Sequence, residues 1–240
     1  MKHHPPVGTV KGKKKDVMEM FDAIAPRYDL LNRVLSMGID QRWRRQAVEW
    51  LREEAPERIL DVATGTGDLA IQAMTLDPKK VVGVDIAEEM LSVGRVKIEK
   101  MGLSDRILLQ QGDAERLPFS DRQFDAALVA FGVRNFEDLN RGLQEIRRVL
   151  KPGGALVVLE FSRPRAFPIK QAYAFYGRYI LPRVGRTLSK DEGAYEYLPA
   201  SISAFPDGKD FLEIMQQAGY QNLAHRPLTF GIATLYKGHA

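Results

Sequence analysis

Asp61, Gly65, Thr66, Gly67 and Asp85 form the part of this chain best suited to hold a reactive ligand. The stretch Leu60-Asp61-Val62-Ala63-Thr64-Gly65-Thr66-Gly67-Asp68 ends an apolar run in a carboxylate and then turns through two close glycines. Glycine lets the backbone pass a ligand with no Cβ in the way, and a helix starting near Leu69 would aim its N-terminus at the same space. Val81-Val82-Gly83-Val84 then delivers Asp85, about 20 residues after Gly65, where doubly wound folds hold the acid that binds ribose hydroxyls. The order predicts a site for a nucleoside-containing cofactor.

Two cofactor classes share that plan. Gly65-Thr66-Gly67-Asp68-Leu69-Ala70 also passes as a dinucleotide pattern with alanine in the third place, so the glycines leave hydride transfer and methyl transfer both open. Asp61 tilts the choice, because a carboxylate there repels a pyrophosphate but attracts, directly or through water, the cationic amino group of S-adenosylmethionine. Farther on, Gln110-Gln111-Gly112-Asp113-Ala114 ends a third short strand, with Leu117-Pro118-Phe119 behind it. Asp113 can accept from the exocyclic amine of adenine while Ala114 and other apolar neighbours cover the ring face. Standing alone, Asp113 would read as a turn aspartate.

The elements that must position these residues follow from periodicity. A helical N-terminal region is expected over 17–51, divided by Pro26 and by Ser36-Met37-Gly38. Strands are then expected at 59–62, 81–85, 107–110, 124–130 and 155–161, alternating with helices at 68–74, 87–100 and 139–150. Such alternation predicts an α/β domain with a parallel sheet covered on both faces. After a helix at 209–218, strand runs at 221–227 and 229–236 are too close for a crossover, so they form an antiparallel pair at the edge of the sheet. Between Pro164 and Pro206 lies an aromatic-rich insertion with Tyr173, Phe175, Tyr176, Tyr179, Tyr195 and Tyr197.

The 240 residues, 45% of them hydrophobic, suit one α/β domain with appendages. No apolar run spans a bilayer, and Met1-Lys2-His3-His4-Pro5-Pro6 lacks the apolar centre of a secretory signal, so a cytoplasmic location is expected. With no cysteine, disulfides, thiolate metal sites and a cysteine nucleophile are excluded. Net charge is +4, and part of the excess sits in Lys11-Gly12-Lys13-Lys14-Lys15, read as a mobile, solvated tail over 1–16 and not as a nucleic-acid site. The four histidines carry no motif, and Asp29 and Asp40 lack the pattern of a metal cluster.

Taken together, Asp61–Gly67, Asp85, Asp113-Ala114 and Leu150-Lys151-Pro152-Gly153-Gly154 resemble the motifs of the class I S-adenosylmethionine methyltransferases. More narrowly the chain is similar to the MenG/UbiE family of quinone C-methyltransferases. Two signatures carry that likeness: Tyr28-Asp29-Leu30-Leu31-Asn32-Arg33-Val34-Leu35-Ser36-Met37-Gly38-Ile39-Asp40-Gln41-Arg42-Trp43, and the run from Arg148-Val149-Leu150 through Leu159-Glu160-Phe161-Ser162. Asp40 stands where family members usually carry His, Leu31 where they carry Met, and Ala130 where some carry Ser. The resemblance implies a Rossmann-like, mostly parallel seven-stranded sheet with an antiparallel C-terminal hairpin and a helical N-terminal cap. It implies S-adenosylmethionine as cofactor, and a polyprenylated quinol methylated on a ring carbon: a naphthoquinol in the menaquinone branch, a benzoquinol in the ubiquinone branch.

Phe131-Gly132-Val133-Arg134-Asn135 resembles the family's active-site loop. The resemblance implies that Arg134, always protonated, stabilises a phenolate or orients a water, with Asn135 as a second donor. Otherwise Arg134 forms a structural ion pair with Glu137 or Asp138. Tyr28 and Asp29 would close over the cofactor, and Trp43 would pack the cap on the core. The aromatic segment 166–181 reads either as an apolar entrance resting on lipid headgroups at the inner face of the membrane, or as core packing or a homodimer contact. A nicotinamide-dependent oxidoreductase and a cofactor-binding subunit without activity are the rival functions.

Overall fold

The computed structural model describes residues 13–180 and 193–240. Seven strands form one sheet: β1 Arg58–Val62, β2 Lys80–Asp85, β3 Ile107–Gln111, β4 Phe124–Ala130, β5 Leu150–Phe161, β6 Gln221–Leu228 and β7 Ala233–His239. Their order is β3-β2-β1-β4-β5-β7-β6. The first five run parallel, and β7 is antiparallel to both β5 and β6. The winding reverses between β1 and β4, which opens a crevice at the carboxyl ends of those strands. Register sets the level of the crevice, since Val62 pairs with Val84 and Val129, and Asp85 with Gln111.

Strand residues alternate between faces. Leu60, Val82, Ala127 and Leu156 pack on one side under α6 (Leu139–Val149) and α9 (Lys209–Gln217). Ile59, Val81, Ala126 and Val157 pack on the other under α3 (Ile39–Glu49), α4 (Asp68–Ala73) and α5 (Glu88–Lys100). Both faces are covered, which is why the central strands read as near-continuous apolar runs.

The last expected strand starts late. Thr229–Gly231 makes a 3₁₀ turn in which Thr229, Phe230 and Gly231 all have positive φ, so pairing resumes only at Ala233. β7 lies inside, between β5 and β6, and buries most of its length; β6 takes the exposed edge.

The cap comprises α1 (Lys13–Ile24), a 3₁₀ turn Ala25–Arg27 containing Pro26, α2 (Tyr28–Leu35) and α3, with Gly38 at φ 75° ending the Ser36-Met37-Gly38 turn. Residues 1–12 lie outside those described. Lys13, Lys14 and Lys15, expected in a solvated tail, instead begin α1, and Lys13 is 7% exposed. Intramolecular acceptors hold these charges, a cause that composition does not carry. In the insertion, α7 (Ile169–Phe175) continues into a π-helical turn at Tyr176–Ile180, and α8 (Gly193–Ala204) follows. Leu181, the end of the segment 166–181, falls outside the described residues.

Candidate active site

The turn after β1 alternates into left-handed backbone at Ala63, Gly65 and Gly67, with φ of 55°, 56° and 78°. At Gly65 a Cβ would stand 3.2 Å from Met90 Cε and 3.9 Å from the Tyr28 ring, so only glycine lets the turn approach the crevice. Asp85 spans its mouth: Oδ2 accepts from Gly65 N at 2.8 Å and Oδ1 from Ala87 N at 3.0 Å. Burial pushes the Asp85 carboxyl up, and those amides partly offset it. Beyond, Asp113 Oδ1 accepts from Glu115 N at 2.9 Å and Oδ2 from Lys14 Nζ at 2.6 Å.

Gly65, Asp85, Asp113, Ala114, Tyr28 and Asn135 line one cavity of about 70 Å³. Sites for small ligands span about 300–1,000 Å³. Val17 and Phe21 of α1, with Phe136, cover the cavity. The other expected residues stand behind the lining. Thr66 is buried with Oγ1 donating to Asp29 Oδ1 at 2.6 Å, and Lys97 Nζ reaches Asp29 Oδ2 at 2.7 Å and Asp68. Asp29 therefore ties the cap to the turn after β1 and to α5, and stands outside the lining of the cleft. Gly67 provides the left-handed entry to α4, where a Cβ would stand 3.3 Å from Leu109 Cδ1.

Asp61 is fully buried behind the turn. Its Oδ2 accepts from Thr64 Oγ1 at 2.5 Å, while Oδ1 has no hydrogen-bond partner. Burial pushes its carboxyl up to about 7, against smaller lowering influences from Thr64 and the Arg44 guanidinium. An uncompensated carboxylate behind the turn suits a cationic ligand, whose charge would be partly neutralised there. With the ribose-level carboxylate Asp85 and the acceptor Asp113, this donor set fits S-adenosylmethionine.

Phe21, Tyr28 and Phe131 separate this cleft from a second cavity of about 730 Å³ and line both. Its walls include Trp43, Phe131, Phe161, Tyr173 and Tyr176, with Arg134 and Arg44 among them. Trp43 packs on Phe131 and Phe161 as expected, its Nε1 donating to Thr229 Oγ1 at 2.8 Å. Asp40 occupies the wall with both oxygens engaged: Ser36 Oγ donates to Oδ1 at 2.6 Å, and Arg44 pairs with Oδ2. It acts as an anchor for Arg44, whose guanidinium lies over Phe131.

Arg134 is buried and pairs with neither Glu137 nor Asp138. Its NH1 donates to Glu160 Oε1 at 2.8 Å and to the Phe131 carbonyl. Nothing partners its Nε. Glu160 is 0% exposed, and burial raises its carboxyl above the usual range despite Arg134. A glutamate within the apolar run 155–161 was the signal for this residue, which sequence reasoning passed over. Sequence reasoning also passed over Lys14, Val17 and Phe21 at the cofactor cleft. Asn135 Oδ1 accepts from Tyr197 Oη at 2.9 Å, leaving its N–H groups for a ligand. Burial raises Tyr28 and Tyr197 and pushes Tyr173 up to about 12, so these phenols donate and do not act as bases at neutral pH. No group of metal-ligating side chains occurs among the described residues.

Residues 9–240 match the model of the ubiE/COQ5 methyltransferase family. The chain belongs to that family. It is 51% identical over 227 residues to a demethylmenaquinone methyltransferase of Bacteroides fragilis, covering 94% of this chain and 93% of that one. A ubiquinone/menaquinone biosynthesis C-methyltransferase UbiE of Geobacter sulfurreducens is 47% identical over 232 residues, covering 96% and 90%. Among solved structures, a SAM-dependent methyltransferase from Thermotoga maritima superposes with a TM-score of 0.65 at 21% identity, over 92% of this chain and 98% of that one. The cyclase SpnF gives 0.67 at 18%, over 99% and 98%. At such identities the likeness shows the fold alone, and the cyclase illustrates how one fold carries several reactions. As a ubiE/COQ5 methyltransferase the protein depends on S-adenosylmethionine, which sets the nicotinamide reading aside.

Proposed function

We propose that this methyltransferase places a methyl group on a ring carbon of a polyprenylated quinol, demethylmenaquinol first and a benzoquinol of the ubiquinone branch second. The single observation that carries this reading is the large apolar cavity, lined by three carboxylate-paired guanidiniums, those of Arg44, Arg134 and Arg163, that adjoins the cofactor cleft at Phe21, Tyr28 and Phe131. A flat ring can lie against the packed cluster of Trp43, Phe131 and Phe161, and the remaining volume accommodates an isoprenoid tail.

When bound, S-adenosylmethionine supplies a methyl group already activated by its sulfonium. The chain's residues position the acceptor carbon and exclude water. Ring carbon becomes nucleophilic once the neighbouring hydroxyl loses its proton, so a quinol reacts and a quinone does not. Arg134 stabilises the phenolate or orients a water that removes its proton, and Asn135 donates beside it. The ring C–CH₃ bond forms as the S–CH₃ bond breaks; loss of the ring proton from that carbon then restores the aromatic. Incubation with methyl-labelled cofactor and short-tailed demethylnaphthoquinol and benzoquinol tests this. Label is expected in the reduced naphthoquinol and not in its quinone; binding of cofactor without transfer to either ring would defeat the proposal.

No helix among the described residues is long and apolar enough to cross a membrane. Met37 and Phe230, 78% and 75% exposed, stand at the mouth of the acceptor cavity. Phe167 and Phe175 are exposed nearby in sequence to lining residues Ile169 and Tyr176, with Lys170 and Arg33 as exposed cations. This rim supports docking of the mouth on an anionic bilayer, which would deliver the tail. Phe167→Ser with Phe175→Ser is expected to reduce co-sedimentation with phosphatidylglycerol vesicles at least fivefold without changing turnover of a short-tailed acceptor. Equal sedimentation of variant and wild type would refute the docking.

A further inference from the structure

Lys13 is the N-terminal residue of α1, outside the α/β core, yet its ammonium is buried against the turn that carries Arg134 and Asn135. Lys13 Nζ donates to the carbonyl of Arg134 at 3.2 Å and to that of Phe136 at 2.9 Å, across 121 and 123 residues of sequence. These carbonyls bracket Asn135. Glu115 supports the same corner: its carboxylate accepts from Glu137 N at 2.8 Å and from Lys14 Nζ at 3.2 Å. Arg134 thus faces the acceptor cavity held by Glu160 at its side chain and by Lys13 at its backbone.

The same helix closes the cofactor cleft. Lys14, next to Lys13, lines it with Val17 and Phe21, which lie about one and two turns along. A rigid α1 cannot leave the cleft without drawing Lys13 away from the two carbonyls. Buried charge-assisted hydrogen bonds are the strong ones, and burial already lowers the Lys13 ammonium, so these acceptors justify its place in the fold.

We propose that Lys13 is a positioning residue that makes the geometry of the Arg134–Asn135 turn depend on closure of α1 over the cofactor cleft. Arg134 and Asn135 reach their working arrangement only when the cleft is covered, so chemistry is confined to the water-excluded state. This inference rests on the methyl-transfer reading, and its test reads the turn directly as well as turnover.

Lys13→Met keeps the aliphatic stem and removes the donors. Expected is at least a tenfold fall in kcat with KM for a short-tailed acceptor within about threefold, and recovery to within about threefold of wild type in Lys13→Arg. Hydrogen exchange at the Asn135 and Phe136 amides, measured without any acceptor, should quicken at least tenfold in Lys13→Met while β1 stays protected. Wild-type kcat and unchanged exchange at those amides would overturn the proposal. Should Lys13→Met fail to fold, Val17→Ala loosens α1 without touching the lysine. Exchange in α1 and at Asn135 and Phe136 should then rise together; a rise confined to α1 would overturn the coupling equally. Inactive wild type with slow exchange at the turn would count against the methyl-transfer reading alone.

Discussion

Replacing Arg134 with alanine lowers turnover at least about a hundredfold and leaves the S-adenosylmethionine dissociation constant within about threefold, the scale seen when one donor to a developing oxyanion is removed. The split follows from placement, since Arg134 lines the acceptor cavity and is absent from the lining of the cofactor cleft. The substitution also deprives Glu160 of its 2.8 Å guanidinium partner at a fully buried position of β5. Breaking one half of a buried pair costs about 3–5 kcal/mol when the remaining group stays charged.

Burial already holds the Glu160 carboxyl above its ordinary range, and loss of Arg134 removes the leading opposing influence. An acid whose folded value is raised keeps the fold stable at low pH and loses stability as pH climbs through that value. The thermal midpoint of Arg134→Ala should therefore fall further below wild type at pH 8 than at pH 5. Adding Glu160→Gln should restore most of the midpoint at pH 8 and none of the turnover. A double variant that recovers turnover would make Arg134 a structural residue after all.

Asp61→Asn should raise the thermal midpoint of the cofactor-free protein at pH 8 by at least about 2 °C, taking about 2–4 °C per kcal/mol for a chain of this size. It should also weaken S-adenosylmethionine binding at least about tenfold, the equivalent of 1.4 kcal/mol. Both effects have one origin: a fully buried carboxyl, pushed up to about 7 by burial, with one oxygen lacking any hydrogen-bond partner. Its stabilising contribution is present below the unfolded value of about 3.9 and is lost as pH rises toward the folded value. The neutral amide removes that loss. A cationic ligand beside the ionised form compensates it in the wild type, so between pH 5.5 and 7 affinity should increase by up to about tenfold per pH unit, with uptake of cofactor releasing about one proton. Titration calorimetry in buffers of different ionisation enthalpy measures that proton directly. A pH-independent constant in the wild type, or a proton still released by Asp61→Asn, would take Asp61 out of cofactor binding.

Strand and helix order was legible in the chain because it rests on local patterns. Alternating apolar runs, the glycines at 65 and 67 and the breakers Pro26 and Gly38 act within a few residues of themselves. The positions of Asp85 and Asp113 at the crevice were legible for the same reason, since Asp85 closes β2 and Asp113 follows β3 by two residues. The partners were not legible. Asp29 was expected over the cofactor, but Thr66 and Lys97, 37 and 68 residues away, hold it elsewhere.

Local backbone preference and hydrophobic period suffice for the alternation of strands and helices, the parallel sheet and the carboxylates near its strand ends. Which buried charges face one another emerges with the packed fold: Arg134 against Glu160, Asp40 against Arg44, and Lys13 against two carbonyls of the Arg134–Asn135 turn. Desolvation is the physical reason. A charge taken from water must find its complement wherever the chain happens to pass, and no periodicity records that distance.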